Sequence, residues 1–273
     1  MRKVLTVVLA ISAALTGVTG CDSGKSSDNG AKATSVPSSS PTVTPTSAAP
    51  STSSPSASPT PSTSTSTSPA APQKLKVGAK GDAVLALQRR LTELGYWNGK
   101  ADGAFGGTTQ QAVFAVQKAA GLGRDGVVGP KTQKALDQGV RPAARSKAGS
   151  GHLVEINLAK QLLMIVDNGQ VTTILNTSTG SNQNYTYQGQ TYLADTPPGH
   201  FAVGRQIDGW RHGPLGPLWR PKYFNGGIAV HGAPSVPPYP ASHGCSRVSV
   251  SAMDWIWSTD QIPLKTKVWV YSS

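Results

Sequence analysis

The chain has 273 residues, room for one or two domains of ordinary size, and carries 25 Lys and Arg against 13 Asp and Glu, a net charge of +12. That excess points to an anionic partner, and two cysteines alone, Cys21 and Cys245, exclude a disulfide-built scaffold. The charge is uneven: residues 73–150 hold 13 basic and 5 acidic side chains, against 8 and 6 in residues 151–273.

The chain opens on "MRKVLTVVLAISAALTGVTGC", a basic start and an apolar run from Val4 to Leu15, too short for a comfortable membrane span, followed by small residues. This is the layout of a secretory signal, residues 1–20. Val18-Thr19-Gly20-Cys21 resembles a bacterial lipobox. The resemblance implies cleavage before Cys21 and lipidation of its sulfur, so that the mature chain is anchored to the outer face of the membrane and reaches into the cell wall. Residues 21–72 form the lipidated N-terminus and a linker. From Ala33 to Pro72 it is almost only Ser, Thr, Pro and Ala, with too little apolar surface to offset the entropy of ordering. An extended, disordered spacer is expected, reaching on the order of 100 Å. Export excludes nucleic acid as the anionic partner and leaves wall polymers with carboxylates and phosphates. It also makes Cys245 the sole remaining thiol in a compartment where thiols pair, and therefore a reactive thiol or an intermolecular partner.

Residues 73–140 contain an internal repeat. "DGAFGGTTQQAV" (102–113) matches "DGVVGPKTQKAL" (125–136) at Asp102/Asp125, Gly103/Gly126, Gly106/Gly129, Thr109/Thr132, Gln110/Gln133 and Ala112/Ala135. Each copy is an Asp-Gly turn leading into a helix, with Pro130 suited to a first helical position and Thr108 with Gln111 spaced as a capping box. An earlier helix is expected from Asp82 to Leu94, capped by Asp82, with Val84, Leu87, Leu91 and Leu94 on one stripe. The second spans about 108–120. Three such helices are expected to make a small, self-contained core. The segment 75–138 resembles the peptidoglycan-binding module found beside bacterial wall enzymes, which implies binding to peptidoglycan stem peptides and glycan rather than catalysis.

Residues 141–150 read as a polar linker, and from 151 to 273 the hydrophobic pattern turns to period two. Val154, Ile156 and Leu158 face one way, and Leu163 and Ile165 follow in a second strand. Asn168-Gly169 marks a hairpin turn. Further strands are expected at 201–207, 226–232 and 267–271, one helix near 251–260, and loops crowded with Pro and Gly from Thr196 to Pro240. The expected class is α + β multidomain: a three-helix module followed by a mainly-β, sandwich-like domain.

The chemistry concentrates in "IAVHGAPSVPPYPASHGCSRVS". His231 ends an apolar strand, and a loop brings the chain back to Cys245. A thiol near pKa 8.5 needs a base, and an imidazole can take its proton and hold the thiolate as an ion pair. A third group must hold the imidazole's other nitrogen, and with no Asp or Glu in the stretch, a backbone carbonyl near Gly232 can serve. Gly244 lets backbone N–H groups turn inward toward an oxyanion. Ser242 and His243 orient the loop or bind substrate. Taken alone, Cys245 is as readily a buried, inert cysteine.

This stretch, with "STG" (178–180) and "TPPGHFAV" (196–203), resembles the L,D-transpeptidase (YkuD-type) catalytic domain. The resemblance implies Cys245 as nucleophile, His231 as its base, the Gly232 carbonyl as the imidazole's orienting group, His243, Gly244 and Cys245 as the oxyanion site, and Arg247 as support for site or substrate. It implies no cofactor and no metal. Ser246 departs from the pattern, where an apolar residue is usual, and that puts packing in question more than chemistry. The implied reaction expels the terminal D-Ala of a donor tetrapeptide stem and passes the thioester to an amine, giving a 3→3 cross-link, with sensitivity to carbapenems. Water as acceptor would make an L,D-carboxypeptidase of the same residues. Two other classes stand beside it: a zinc hydrolase using His231, His243 and Cys245, and a non-enzymatic wall-binding lipoprotein. Trp210 and Trp219 are candidates to line a groove.

Overall fold

The computed structural model describes residues 74–272. The signal segment, Cys21 and the Ser/Thr/Pro-rich spacer lie outside the described residues. Three helices come first: α1 (Asp82–Glu93), α2 (Gly107–Ala119) and α3 (Pro130–Asp137). The expected stripe of α1 is buried through Val84, Leu87 and Leu91. The sequence repeat is two copies of one hydrogen-bonded corner. Gln88 Nε2 donates to Asp102 Oδ1 (2.9 Å), Ala104 O (3.1 Å) and Thr109 Oγ1 (3.0 Å). Gln117 Nε2 does the same to Asp125 Oδ1, Val127 O and Thr132 Oγ1. Gly103 and Gly126, at φ +73° and +70°, make the left-handed turn that each corner needs.

The caps differ from expectation. Gly81 precedes α1 and Asp82 lies inside its first turn without a capping bond; α2 starts at Gly107, so Thr108 is already helical. Pro130 does open α3, behind Gly129.

The second part is mainly β: β1 (His152–Asn157), β2 (Leu162–Asp167), β3 (Gln170–Asn176), β4 (Asn184–Tyr187), β5 (Gln190–Leu193), β6 (Gly199–Ala202), β7 (Arg205–Gln206), β8 (Trp210–Gly213), β9 (Gly216–Asn225), β10 (Ile228–Ala233), β11 (Ser246–Ser249), then α4 (Val250–Ser258) and β12 (Lys267–Tyr271). One sheet runs β3-β2-β1-β12-β6. The other runs β11-β10-β9-β7, with β8 paired to β9. Between them lies a core of Val154, Ile156, Leu163, Ile165, Val230, Val248 and the α4 residues Met253 and Ile256. Each such side chain contributes roughly 1.5–3 kcal/mol by leaving water.

Asn168 and Gly169, both at positive φ, form the expected hairpin turn between β2 and β3. The single strand expected over 201–207 is instead a corner: β6 belongs to the first sheet and β7 to the second. Val203 N–H donates to Thr266 O and Gly204 N–H to Tyr223 O at the crossing. The Pro/Gly-rich stretch expected as loops supplies β8 and the ten-residue β9.

The helical module does not close a core of its own. Leu162 and Ile174, fully buried, complete its apolar cluster from the β domain. Gly95 O accepts from Ile174 N–H (2.8 Å) and Trp97 N–H donates back to Ile174 O (3.0 Å), so the segment after α1 extends the edge of β3. Lys118, 2% exposed, reaches from α2 into the β domain. Burial pushes its amine down to about 6, a cost that three oxygen acceptors oppose. The polar linker is anchored as well: the Arg145 and Ser146 N–H groups and the Tyr271 hydroxyl all donate to the buried Glu155 carboxylate.

Candidate active site

Strands β10 and β11 run parallel, with Val230 opposite Ser246 and His231 opposite Arg247. Paired residues of neighbouring strands point to the same side, so His231 and Arg247 share a face, and Cys245, just before β11, borders the same cleft. His231, Cys245, Ser242, His243 and Arg247 all border one cleft of about 710 Å3. Its other walls include Tyr185, Arg205, Arg211, Leu215, Leu218 and Tyr223.

His231 is 4% exposed. Its Nδ1 lies 2.9 Å from Gly232 O. A carbonyl only accepts, so Nδ1 carries the proton and Nε2 keeps its lone pair as a base. Burial, together with the nearby Arg247 charge, pushes the imidazole down to about 4 against the partial support of the Gly232 bond. The Cys245 thiol is half-buried, with Sγ 3.8 Å from Gly227 O. Burial raises its pKa, while Arg247 pulls it down. This environment favours a neutral thiol beside a neutral imidazole over the ion pair expected from the residue types. Arg247 is the charge that bears on both: it opposes imidazolium and supports thiolate. Its Nη1 donates to Ala241 O (3.3 Å), which ties it to the loop before the cysteine.

The loop has a fixed geometry. Ser242 Oγ donates to Cys245 O (2.6 Å) and accepts from Gly244 N–H (3.0 Å). The Gly244 amide, expected to face an oxyanion, is thus engaged by Ser242, and the donors left in the turn are the His243 and Cys245 N–H groups. What Gly244 supplies is conformation: φ is +139°, and a Cβ there would lie 2.8 Å from Asp195 O. Gly232 is required for close approach, since a Cβ would meet Trp219 Cδ1 at 2.8 Å and Met253 Cβ at 3.0 Å. His243 is exposed, its ring packed edge-on against Tyr185 at 4.7 Å. Ser246 is fully buried but satisfied, its hydroxyl 2.7 Å from Thr177 Oγ1.

Trp210 and Trp219 do not line the cleft. Trp219 packs behind Gly232 with Nε1 donating to Asp254 Oδ1, and the Trp210 ring lies tilted against it with centroids 5.0 Å apart. Sequence reasoning missed Tyr185, carried by the β4–β5 hairpin, although Gln188-Gly189 sits between alternating segments there and both residues have positive φ. Among the described residues no three His, Cys, Asp or Glu side chains converge as metal ligands, so His231, His243 and Cys245 do not form the donor set a zinc hydrolase needs.

Comparison with known proteins agrees with this division. Residues 80–136 match the peptidoglycan binding domain family, and residues 151–270 match the L,D-transpeptidase catalytic domain family. The crystal structure of the L,D-transpeptidase from Xylanimonas cellulosilytica DSM 15894 is 55% identical, with a TM-score of 0.71, covering 75% of this chain and 100% of that one. Among curated proteins, the N-acetylmuramoyl-L-alanine amidase CwlL of Bacillus licheniformis is 52% identical over 64 residues, 23% of this chain and 18% of that protein. The amidase CwlM of Mycobacterium tuberculosis is 39% identical over 74 residues, 27% of this chain and 18% of that protein. The chain thus spans about a fifth of the length of these curated relatives. Match, fold and cleft agree: this chain belongs to the L,D-transpeptidase family, with a peptidoglycan-binding domain ahead of its catalytic domain.

Proposed function

We propose that the protein forms 3→3 peptidoglycan cross-links through a thioester on Cys245. The observation that carries this reading is one cleft bordered by His231 of β10, whose Nδ1 sits on the Gly232 carbonyl, and by Cys245 immediately before β11. Sγ attacks the carbonyl of the third residue of a tetrapeptide stem, a diamino acid, as its proton passes to His231 Nε2. The oxyanion is met by N–H groups of the His243–Cys245 turn. The C–N bond to the terminal D-Ala then breaks, and its nitrogen takes the proton back from Nε2. An amine of a second stem attacks the thioester and gives a proton to Nε2. The C–S bond breaks, and Sγ recovers that proton. Neutral resting partners suit this cycle, since Nε2 is ready to accept a proton at each attack. Arg205 and Arg211 on the cleft wall offer charge to the carboxylates of a stem peptide.

The helical module holds the chain on the wall. Its net positive charge and a cleft of about 660 Å3 rimmed by Lys74, Lys76 and Lys131 suit anionic wall polymer. Domains 73–140 and 151–273 act outside the cytoplasm, with Cys21 as the lipid anchor and residues 21–72 as the reach from membrane to wall. Incubation with disaccharide-tetrapeptide should yield free D-Ala and a dimer cross-linked between two diamino acids. Release of D-Ala with tripeptide alone would instead make the enzyme an L,D-carboxypeptidase.

A further inference from the structure

We propose that Lys118, on the helical module, is a positioning residue for Cys245, so that the wall-binding module forms part of the catalytic apparatus. The proposal rests on Cys245 being the nucleophile.

The Lys118 amino group is buried at the domain boundary, its Nζ hydrogen-bonded to Gln161 O (2.9 Å), Thr177 O (2.9 Å) and Asn176 Oδ1. Three oxygen acceptors converge on Nζ, so every N–H it carries finds a partner. All three belong to groups that lead to the nucleophile. Thr177 Oγ1 meets Ser246 Oγ (2.7 Å) and donates to Arg247 O (2.8 Å), the two residues that follow Cys245. The Gln161 side chain clamps Thr179 through Oγ1 (2.7 Å) and N–H (2.9 Å). Thr179 O accepts from the N–H groups of Ala241 and Ser242, and Ser242 Oγ bonds Cys245 O.

The third acceptor leads to the other side of the loop. Asn176 Nδ2 donates to Gln111 Oε1 (2.5 Å) and Val236 O (3.3 Å), and Gln111 Nε2 donates to the same Val236 O (3.2 Å). Arg124 Nη1, also from the module, holds Pro238 O (2.9 Å). Val236 and Pro238 lie in the connection between the His231 strand and Cys245. Module side chains therefore hold the middle of this connection directly, and Lys118 backs the Gln161 and Thr177 groups that hold its end. Rotating the nucleophile away from Nε2 by about 1 Å would slow attack by about a hundredfold.

The test compares wild type, Lys118→Met, and the double variant Gln111→Ala/Arg124→Ala, whose side chains are only half-buried and whose loss spares the core. Two readouts are taken: kcat and KM for D-Ala release from a tetrapeptide stem, and the pH profile of iodoacetamide alkylation on the peptide carrying Cys245. The expected result is kcat lowered about tenfold or more with KM within about twofold, and an alkylation rate changed about threefold or more, while binding to isolated peptidoglycan persists. If Lys118→Met does not fold, the double variant decides. Unchanged kcat and an unchanged alkylation profile in a folded variant would overturn the proposal. A wild type that releases no D-Ala, yet whose Cys245 alkylation shifts in the variants, would sink the enzymatic reading and keep the positioning role.

Discussion

His231 is held neutral by burial, near 4 against the ordinary 6.5, and that has consequences for both activity and stability. Between those values the unfolded chain binds a proton that the folded chain does not, so stability falls as pH drops through 6.5, and this loss is complete below about 4. The loss is about 3 kcal/mol at most. Denaturant unfolding of wild type and His231→Gln at pH 7 and pH 4.5 checks this: the wild type should lose about 2 kcal/mol more than the variant. Acylation should persist at pH 5, where Nε2 is still unprotonated; a rate that halves near pH 6.5 would contradict the buried, neutral base. Gly232→Ala presses a methyl group against Trp219 and Met253. Overpacking of this kind costs about 1–3 kcal/mol and here moves the carbonyl that orients His231. A lowered melting temperature with turnover largely lost is expected; full turnover would show that the Gly232 bond is dispensable. That Cys245 and His231 border one cleft, with the Gly232 carbonyl at Nδ1, was legible in the sequence because one strand and one loop bring them there. The engaged Gly244 amide was not, since it depends on which donor the Ser242 hydroxyl accepts from.

At the scale of elements, the site is a parallel strand pair with its connecting loop. The pair was visible as apolar strand, His-Gly, loop and cysteine. The walls of the cleft come from hairpins whose signals were weaker. In β4–β5 the turn residues Gln188 and Gly189 both take positive φ, but neither strand has a buried residue to mark an inward face. Tyr185 places this hairpin against His243 at the rim. Tyr185→Ala should raise KM for a tetrapeptide stem about fivefold, roughly 1 kcal/mol of lost contact, and leave kcat within about twofold. A fall in kcat with KM unchanged would assign the ring to catalysis instead. The capping box failed because α2 starts before Thr108, with Gly106 as its cap, and Gln111 instead bonds Asn176 and Val236.

For the whole molecule, the two domains recognised in the sequence are packed as one unit over the described residues. Local patterns gave each domain its class, but nothing in a periodicity shows that Leu162 and Ile174 of one complete the core of the other. Lys118 was equally hidden, since a lysine near a helix end reads as solvated surface until its acceptors are known. Residues 141–273 expressed alone should therefore be less stable than residues 74–273 by about 3 kcal/mol or more, from exposure of two large side chains and loss of the β3 edge pairing. Equal denaturant midpoints would mean that the domains are independent.

The central claim is that Cys245 is an acylatable nucleophile served by His231. Intact mass spectrometry of the protein after incubation with a carbapenem, beside the Cys245→Ala variant, tests it most directly. A covalent adduct on the wild type and none on the variant is the predicted result. A folded wild type that gains no mass, or a variant that gains the same mass, would contradict it.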